Sequence, residues 1–221
     1  TQYRAAPANR VRDYVFLRNL TVDDLDELGE DVMLTPKHYA DQTVPRFLPI
    51  NESLMMLLGF FVAEGSMSKR TGVRLSIGQR NDTLVPELTV AIREAFGVEP
   101  SLYRTSDGRA AELRILNTVV TTAFRLVFDF DGPRAVRKHI PDLVFNVDSQ
   151  LQLAFLRGYF MGDGTLSSKA ISFATTSETL ASQLMYLLLG HGIKVSSTER
   201  SPTGQASGMI RGKPITTRHT A

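Results

Sequence analysis

The chain has 221 residues, of which 43% are hydrophobic and 22% are charged, so it suits one large globular domain or two small ones. It contains no cysteine, which excludes disulfides and thiolate metal sites, and its four histidines lack the spacing of a metal motif. The apolar runs are far shorter than the ~20 residues of a membrane span and no basic-then-apolar leader opens the chain, so we expect a cytoplasmic protein with no membrane partner.

The net charge of +2 is distributed unevenly. Residues 1–65 carry ten acidic and six basic side chains, whereas residues 66–140 carry twelve basic against eight acidic, and residues 166–221 carry six against two. A basic surface concentrates a polyanion such as DNA, although dispersed charges that favour solubility are the commoner explanation of so small an excess.

Residues 1–50 are expected to form an N-terminal extension or linker. Thr21 to Leu28 predicts a short capped helix, because Asp23 and Asp24 would favour its positive N-terminal end. Three prolines between residues 36 and 49 favour irregular backbone after that helix.

An internal repeat follows this extension. Copy one opens with SLMMLLGFFVAEGS (Ser53 to Ser66) and copy two with LQLAFLRGYFMGDGT (Leu151 to Thr165). Each predicts an apolar helix that ends in a small residue, a carboxylate and a glycine. The two carboxylates, Glu64 and Asp163, are 99 positions apart, and the segments LSIGQRNDTLVPEL and ISFATTSETLASQL correspond at an offset of 96.

The first copy, residues 51–146, shows the elements of the repeated unit. Val73, Leu75 and Ile77 alternate with polar or small residues, which is typical of a half-buried strand. The other predicted elements are a helix from about Thr83 to Phe96, capped near Asn81-Asp82-Thr83 and ended by Gly97, a hairpin that turns at Ser106-Asp107-Gly108, and a helix from about Thr118 to Phe128.

The second copy, residues 147–221, repeats the first helix, strand and helix. Its last stretch, Ser196 to Ala221, is rich in Ser, Thr, Gly and Pro. We therefore expect the second strand of its hairpin and its final helix to be absent, so that this half-domain is truncated.

Small residues line one face of each motif helix. Gly59 and Ala63 are four residues apart, as are Gly158 and Gly162, so each pair shares a helix face. Small residues at that spacing let two helix backbones approach closely. The glycine after each carboxylate predicts a left-handed cap, because glycine adopts that conformation without steric cost.

Two helices packed through these faces would bring Glu64 and Asp163 together at helix ends that are already negative. Like charges at such a distance are unfavourable unless they are protonated or paired with a cation. Oxygen ligands favour Mg²⁺, which can serve phosphodiester hydrolysis. An apolar helix ending in Asp-Gly or Glu-Gly is commonly structural, but its occurrence twice in a repeat favours a functional site.

The segments LLGFFVAEG (Leu57 to Gly65) and LRGYFMGDG (Leu156 to Gly164) resemble the two LAGLIDADG motifs of monomeric homing endonucleases, and RKHIPDLVFN (Arg137 to Asn146) resembles the K-x-I-P linker of intein-borne members. The resemblance implies an α+β fold with two αββαββα half-domains related by an internal pseudo-twofold within one monomer. It also implies four-stranded saddles over double-stranded DNA and a requirement for Mg²⁺ or Mn²⁺.

The resemblance also suggests roles for three residues. Glu64 and Asp163 fall on the metal-binding, catalytic acids, although the first motif more commonly has aspartate. Lys138 falls on a basic residue that polarises the active-site water or phosphate; the alternative for Lys138 is simple solvation of the linker. No second lysine is identified at the corresponding place in copy two.

The DNA-binding face can be predicted from the alternation of residues along each strand, because every second residue lies on the same face. Arginine and polar side chains on a two-stranded ribbon can read bases in the major groove, and other basic side chains can contact phosphates. The base-facing candidates are Arg74, Ser76, Arg80, Arg104, Arg114, Ser172 and Thr176, with Glu112 beside the hairpin arginines, and the phosphate candidates are Lys69, Arg70, Lys169 and Lys194. The alternative for each is solubility alone.

The favoured function is therefore a site-specific homing endonuclease that makes metal-dependent double-strand cuts in DNA as part of an intein. One alternative is a catalytically inactive DNA- or RNA-binding protein of the same family, such as a maturase or regulator. The other is an insert region of a protein-splicing intein.

Overall fold

The computed structural model of the chain describes residues 2–4, 12–14, 20–36, 42–68, 72–78, 81–105, 110–130, 137–168, 170–198, 207–210 and 213–216. The chain divides into two compact units, Thr1–Leu184 and Met185–Ala221. Within the described ranges, no helix combines the length and apolarity needed to cross a membrane.

The N-terminal extension contains short elements. Strands β1 (Gln2–Arg4) and β2 (Arg12–Tyr14) pair antiparallel, as do β3 (Met33–Leu34) and β4 (Val44–Pro45). The predicted short helix is confirmed as α1 (Val22–Glu27). It begins with a capping box, in which the Thr21 side chain accepts from the Asp24 N–H and the Asp24 carboxylate accepts from the Thr21 N–H.

The two motif helices are α2 (Glu52–Glu64) and α6 (Ser149–Asp163). Each begins with a side-chain cap, since the Asn51 amide oxygen accepts from the Leu54 N–H at 2.9 Å and the Asp148 carboxylate accepts from the Leu151 N–H at 3.0 Å. Most of α2 is buried, including every residue from Leu54 to Ala63.

Helices α2 and α6 pack backbone against backbone. A Cβ atom added to Gly59 would overlap the carbonyl oxygen of Phe155 and lie 2.8 Å from the Tyr159 nitrogen. A Cβ added to Gly158 would overlap the carbonyl oxygen of Met56, and one added to Gly162 would overlap the Ala63 side chain. The predicted side-by-side contact through small residues is thus confirmed, and it leaves no room for larger side chains at these glycines.

The predicted left-handed caps after the carboxylates are wrong. Gly65 has φ −85° and ψ 154°, and Gly164 has φ −75° and ψ 137°, so both are extended. Glycine is needed there for space, because a Cβ would meet the ring of the phenylalanine four residues earlier, at 2.5 Å from Phe61 Cγ and 2.7 Å from Phe160 Cε2. The extended backbone leads directly into strands β5 (Gly65–Ser68) and β9 (Thr165–Leu166).

The first copy has the predicted αββαββα order. After α2 come β5, β6 (Gly72–Gly78), α3 (Leu84–Phe96), β7 (Ser101–Arg104), β8 (Ala110–Ile115) and α4 (Thr118–Leu126). The strands form one antiparallel sheet in the order β5-β6-β8-β7. Gly97 ends α3 in the left-handed conformation, with φ 67°, as the sequence predicts.

One face of this sheet is buried and the other is open. Val73, Leu75 and Ile77 of β6 are each at most 1% exposed. The helices behind them add a cluster of phenylalanine rings, in which Phe61 and Phe124 meet edge to face with their centroids 4.8 Å apart. Each fully buried side chain of this kind stabilises the fold by roughly 1.5–3 kcal/mol.

The linker and the second copy supply the remaining elements, which are α5 (Asp142–Phe145), α6, β9, β10 (Ile171–Ser172), α7 (Glu178–Gly190), β11 (Ser207–Ile210) and β12 (Lys213–Thr216). Strands β9 and β10 pair antiparallel, and β11 and β12 form a second antiparallel hairpin. The prediction that copy two lacks its second hairpin strand is therefore wrong. The α+β fold class is confirmed, whereas the half-domain boundary at residues 146 and 147 stays a prediction.

Candidate active site and nucleic-acid interface

The two motif carboxylates lie at the ends of neighbouring helices. Glu64 is the last residue of α2 and Asp163 the last residue of α6. The Glu64 side chain lies along the last turn of α6, since a Cβ built on Gly162 would be 3.1 Å from Glu64 Cγ. Packing of the small faces therefore brings the two acids together, as the sequence predicts.

Both acids are held in an environment that disfavours their charge. Burial raises the pKa of Glu64, the negative charge of Asp163 raises it further, and the Lys138 ammonium acts in the opposite direction. Burial also raises the pKa of Asp163, again partly offset by Lys138. The pair thus forms a partly desolvated negative site.

Lys138 reaches this site from the linker. Its Nζ donates to the carbonyl oxygen of Ala63, the residue before Glu64. Burial lowers the pKa of Lys138, while Asp163 and Glu64 both act to raise it. The structure therefore brings together the three residues that the resemblance indicates as catalytic, Glu64, Asp163 and Lys138.

Tyr159 is a site neighbour that the sequence analysis missed. It lies one turn before Asp163 on α6 and is fully buried, and its hydroxyl has no hydrogen-bond partner among the described residues. Burial raises the pKa of its phenol, and the charge of Asp163 raises it further. The difference between the two copies could have drawn attention to Tyr159. Its counterpart in copy one, 99 positions earlier, is Phe60, which has no hydroxyl.

The donor set fits a hard divalent cation. Two carboxylates converge here, and a cation would relieve the unfavourable charge that raises their pKa values. No group of three or more His, Cys, Asp or Glu side chains suited to a metal ion occurs in the part of the chain that the structure describes. Water or phosphate oxygens would therefore complete the coordination, which is typical of Mg²⁺ sites.

The open face of the first-copy sheet carries two of the predicted arginines. Arg74 and Arg114 are register partners on β6 and β8, and Ser76 lies opposite Glu112 in the same ladder. The Arg114 guanidinium bonds to the Glu112 carboxylate at 2.7 Å and stacks on the Tyr103 ring at 3.9 Å from its centroid. Arg74 Nε is buried without a hydrogen-bond partner among the described residues.

Arg104 does not share that face. Its register partner is Ala111, a buried residue, so Arg104 lies on the opposite side of the sheet from Arg114. Its guanidinium donates to both carboxylate oxygens of Asp82, at 2.9 and 3.0 Å. The expectation that Arg104 neighbours Arg114 on the open face is wrong, because strand register, which the sequence did not reveal, decides the side.

In copy two, Ser172 pairs with Thr165 and is exposed, and Thr176 is exposed after β10. Lys194 is exposed in the second unit. The remaining predicted contacts lie outside the described residues, and these are Lys69, Arg70, Arg80 and Lys169. The DNA-binding roles of all these residues stay predictions.

Comparison with known proteins gives a family match over copy two. Residues 150–215 match the family described as LAGLIDADG-like domain. The ATP-dependent DNA helicase Hel308 of Thermococcus kodakarensis is 30% identical over 185 residues, which cover 80% of this chain and 16% of the helicase. A DNA polymerase of Thermococcus aggregans is 28% identical over 174 residues, covering 76% of this chain and 9% of the polymerase. The chain thus spans at most 16% of these two relatives.

Two solved structures resemble the fold more distantly. I-DmoI in complex with DNA and Mn has a TM-score of 0.48 and 16% identity, covering 66% of this chain and 81% of that one. The homing endonuclease I-WcaI bound to its DNA recognition sequence has a TM-score of 0.46 and 16% identity, covering 87% and 84%. The family match includes most of the second motif helix with Asp163, and copy one repeats this motif, so copy two contains a LAGLIDADG-like domain that copy one resembles.

Proposed function

We propose that this protein is a site-specific endonuclease that cuts both strands of double-stranded DNA with the help of a divalent metal ion. The observation that carries the proposal is the convergence of Glu64, Asp163 and Lys138 at the paired ends of α2 and α6. Two carboxylates and an ammonium group form a charge arrangement suited to a phosphodiester.

Glu64 and Asp163 would hold Mg²⁺ or Mn²⁺, and such an ion, when bound, activates a water and stabilises the leaving oxygen of a phosphodiester. Lys138 donates one of its three N–H bonds to the Ala63 carbonyl and keeps the others for a phosphate oxygen or a water. Its partly buried ammonium offsets negative charge that would otherwise accumulate beside the two acids.

DNA binding is supported by the open face of the first-copy sheet. Arg74 and Arg114 lie directly opposite each other there, and the Glu112 carboxylate balances the charge of Arg114. The second positive charge, that of Arg74, favours an anion or a base edge on this face. We expect Ser76, Arg80, Ser172 and Thr176 to contribute contacts to base edges, and Lys69, Arg70, Lys169 and Lys194 to contact phosphates. We further propose that the protein acts as a monomer, with the two copies meeting the two halves of the target.

We also propose that the chain is the endonuclease region of an intein. The support is its match to short segments of long DNA-processing enzymes, 16% of a helicase and 9% of a polymerase. Such matches are expected when an insert interrupts otherwise different host proteins. A cytoplasmic location would follow from such hosts.

A DNA-binding protein without cleavage is the second candidate. The observation in its favour is that Lys138 is the one lysine whose charge acts on the two acids in the part of the chain that the structure describes. Retention of both carboxylates favours the nuclease.

A library of DNA targets incubated with the protein and Mg²⁺ tests the proposal. Discrete double-strand cuts are expected, and binding without cutting would support the second candidate. Asp163→Asn should reduce cutting by about a hundredfold or more while DNA affinity changes little. Asp148→Asn is the matched control, because it makes the same change at the other end of α6 and asparagine is an equally good helix cap.

A further inference from the structure

The linker segment that carries Lys138 is bonded to the N-terminal half of α7. The Ser177 hydroxyl donates to the carbonyl oxygen of Lys138 at 2.6 Å. The Ser177 hydroxyl oxygen also accepts from the Leu180 N–H at 3.2 Å, so Ser177 is the N-cap of α7 as well. Ser177 is only 1% exposed, and its hydroxyl therefore joins a helix end of copy two to the lysine backbone in a protected environment.

Gln183 makes a second connection further along α7. Its side-chain oxygen accepts from the Ile140 N–H at 2.7 Å, and its side-chain nitrogen donates to the Ile140 carbonyl at 3.4 Å. Ile140 is fully buried. The Gln183 side-chain amide thus satisfies both the N–H and the carbonyl of Ile140. These hydrogen bonds fix the linker two residues after Lys138.

These contacts matter because a lysine side chain is flexible and loses rotamer entropy when it is held in one place. Lys138 must start from a fixed backbone for its amine to reach the Ala63 carbonyl at the end of α2. The backbone is fixed by copy two, whereas the amine is bonded to copy one. The position of the Lys138 amine therefore depends on both copies being folded.

We infer that Ser177 and Gln183 are positioning residues, which hold Lys138 over the ends of α2 and α6 by bonding the backbone on either side of His139. This inference rests on the proposed function for its catalytic consequence. We call these contacts, of Ser177 with the Lys138 carbonyl and of Gln183 with Ile140, the clamp. The clamp is a property of the folded protein and can be measured without any DNA.

The first experiment measures how accessible Lys138 is. The folded protein is treated with an acetylating reagent, and mass spectrometry compares the acetylation rate of Lys138 with that of the exposed Lys194. Hydrogen exchange of the Ile140 amide is followed in parallel. Ser177→Ala and Gln183→Leu should each raise Lys138 acetylation several-fold and speed Ile140 exchange, because the linker is released.

Three further variants separate the clamp from helix capping and from general stability. Ser177→Asp keeps a capping oxygen for Leu180 but cannot donate to the Lys138 carbonyl, so it should behave like Ser177→Ala. Ser177→Thr keeps the hydroxyl and should restore protection. Ser182→Ala, at an exposed position of the same helix, should match the wild type. Unchanged acetylation and exchange in both Ser177→Ala and Gln183→Leu would overturn the clamp.

The second experiment measures cleavage of a target that the wild type cuts. Loss of the clamp should lower kcat by about 10- to 100-fold with KM for DNA nearly unchanged, since a misplacement of about 1 Å has effects of this size. An equal loss of affinity, or no kinetic loss in variants whose Lys138 has become accessible, would refute the positioning role. If the wild type cuts no target, the proposed function fails, while the labelling results still decide the clamp.

Discussion

Burial raises the pKa of Glu64 and the charge of Asp163 raises it further, because the two acids end neighbouring helices and share one partly buried site. The folded, metal-free protein therefore binds a proton at Glu64 more tightly than the unfolded chain does. The stability linked to this group is fully present below the ordinary glutamic acid pKa of about 4.3 and is lost as the pH rises through the raised value.

Glu64→Gln should therefore flatten the dependence of stability on pH in that window. Denaturant unfolding of both proteins, in the presence of a metal chelator and between about pH 4 and 8, measures the free energy of unfolding at each pH. Glu30→Gln, at an exposed position outside the pair, should keep the wild-type slope. A wild-type stability that increases with pH in proportion to Glu64 ionisation would contradict the prediction.

A divalent ion should stabilise the folded protein, because the two carboxylates come together only in that state. At a metal concentration 100 times the Kd, the free energy of unfolding should increase by about 2.7 kcal/mol. Thermal unfolding with and without Mn²⁺ measures the effect, which should weaken as the pH falls and protons compete for the acids. Asp163→Asn should remove most of the increase and Asp148→Asn should retain it; equal increases in both would place the ion elsewhere.

The close approach of α2 and α6 predicts a strong size limit at Gly158. A Cβ there would overlap the Met56 carbonyl oxygen, so Gly158→Ala must push two buried backbones apart. Overpacking of this kind costs about 1–3 kcal/mol or more. Gly190→Ala is the control, since a Cβ at that position would meet no neighbouring group within 4 Å and alanine favours helix by up to about 1 kcal/mol. Equal stability of the two variants, measured by denaturant unfolding, would contradict the helix contact.

Much of the site could be predicted because its signals are local. The spacing of Gly59 and Ala63, the strand alternation around Leu75 and the repeated carboxylates each follow from a few adjacent residues. The contacts of Ser177 with Lys138 and of Gln183 with Ile140 could not be predicted, because they join positions about 40 residues apart. The side on which Arg104 lies could not be predicted either, because it depends on the register of β7 and β8.

Tyr159→Phe should stabilise the metal-free protein. The hydroxyl is buried without a hydrogen-bond partner among the described residues, and such a group costs about 1–3 kcal/mol. Copy one already has Phe60 at the corresponding position, which is also buried, so the ring alone suits this environment. The change in denaturant midpoint measures the effect. A variant less stable than the wild type would mean that the hydroxyl has a partner, with a water beside Asp163 as the first candidate.

The different positions of Arg74 and Arg104 predict different effects on DNA binding. Arg74→Ala removes a side chain of the open face, and loss of a base contact there should weaken DNA binding by about 1–3 kcal/mol. Arg104 forms an ion pair with Asp82 on the other side of the sheet, so Arg104→Ala should leave DNA affinity nearly unchanged. It should also lower stability by no more than about 1 kcal/mol, because the ion pair is solvent-exposed. Titration of a labelled target and of single-base-pair variants of it separates the two proteins: weaker binding with relaxed base preference for Arg74→Ala, and unchanged binding for Arg104→Ala, supports the open face as the DNA-binding surface. Equal losses of affinity in the two variants would contradict the assignment of the DNA to the open face, because Arg74 and Arg104 lie on opposite sides of the sheet.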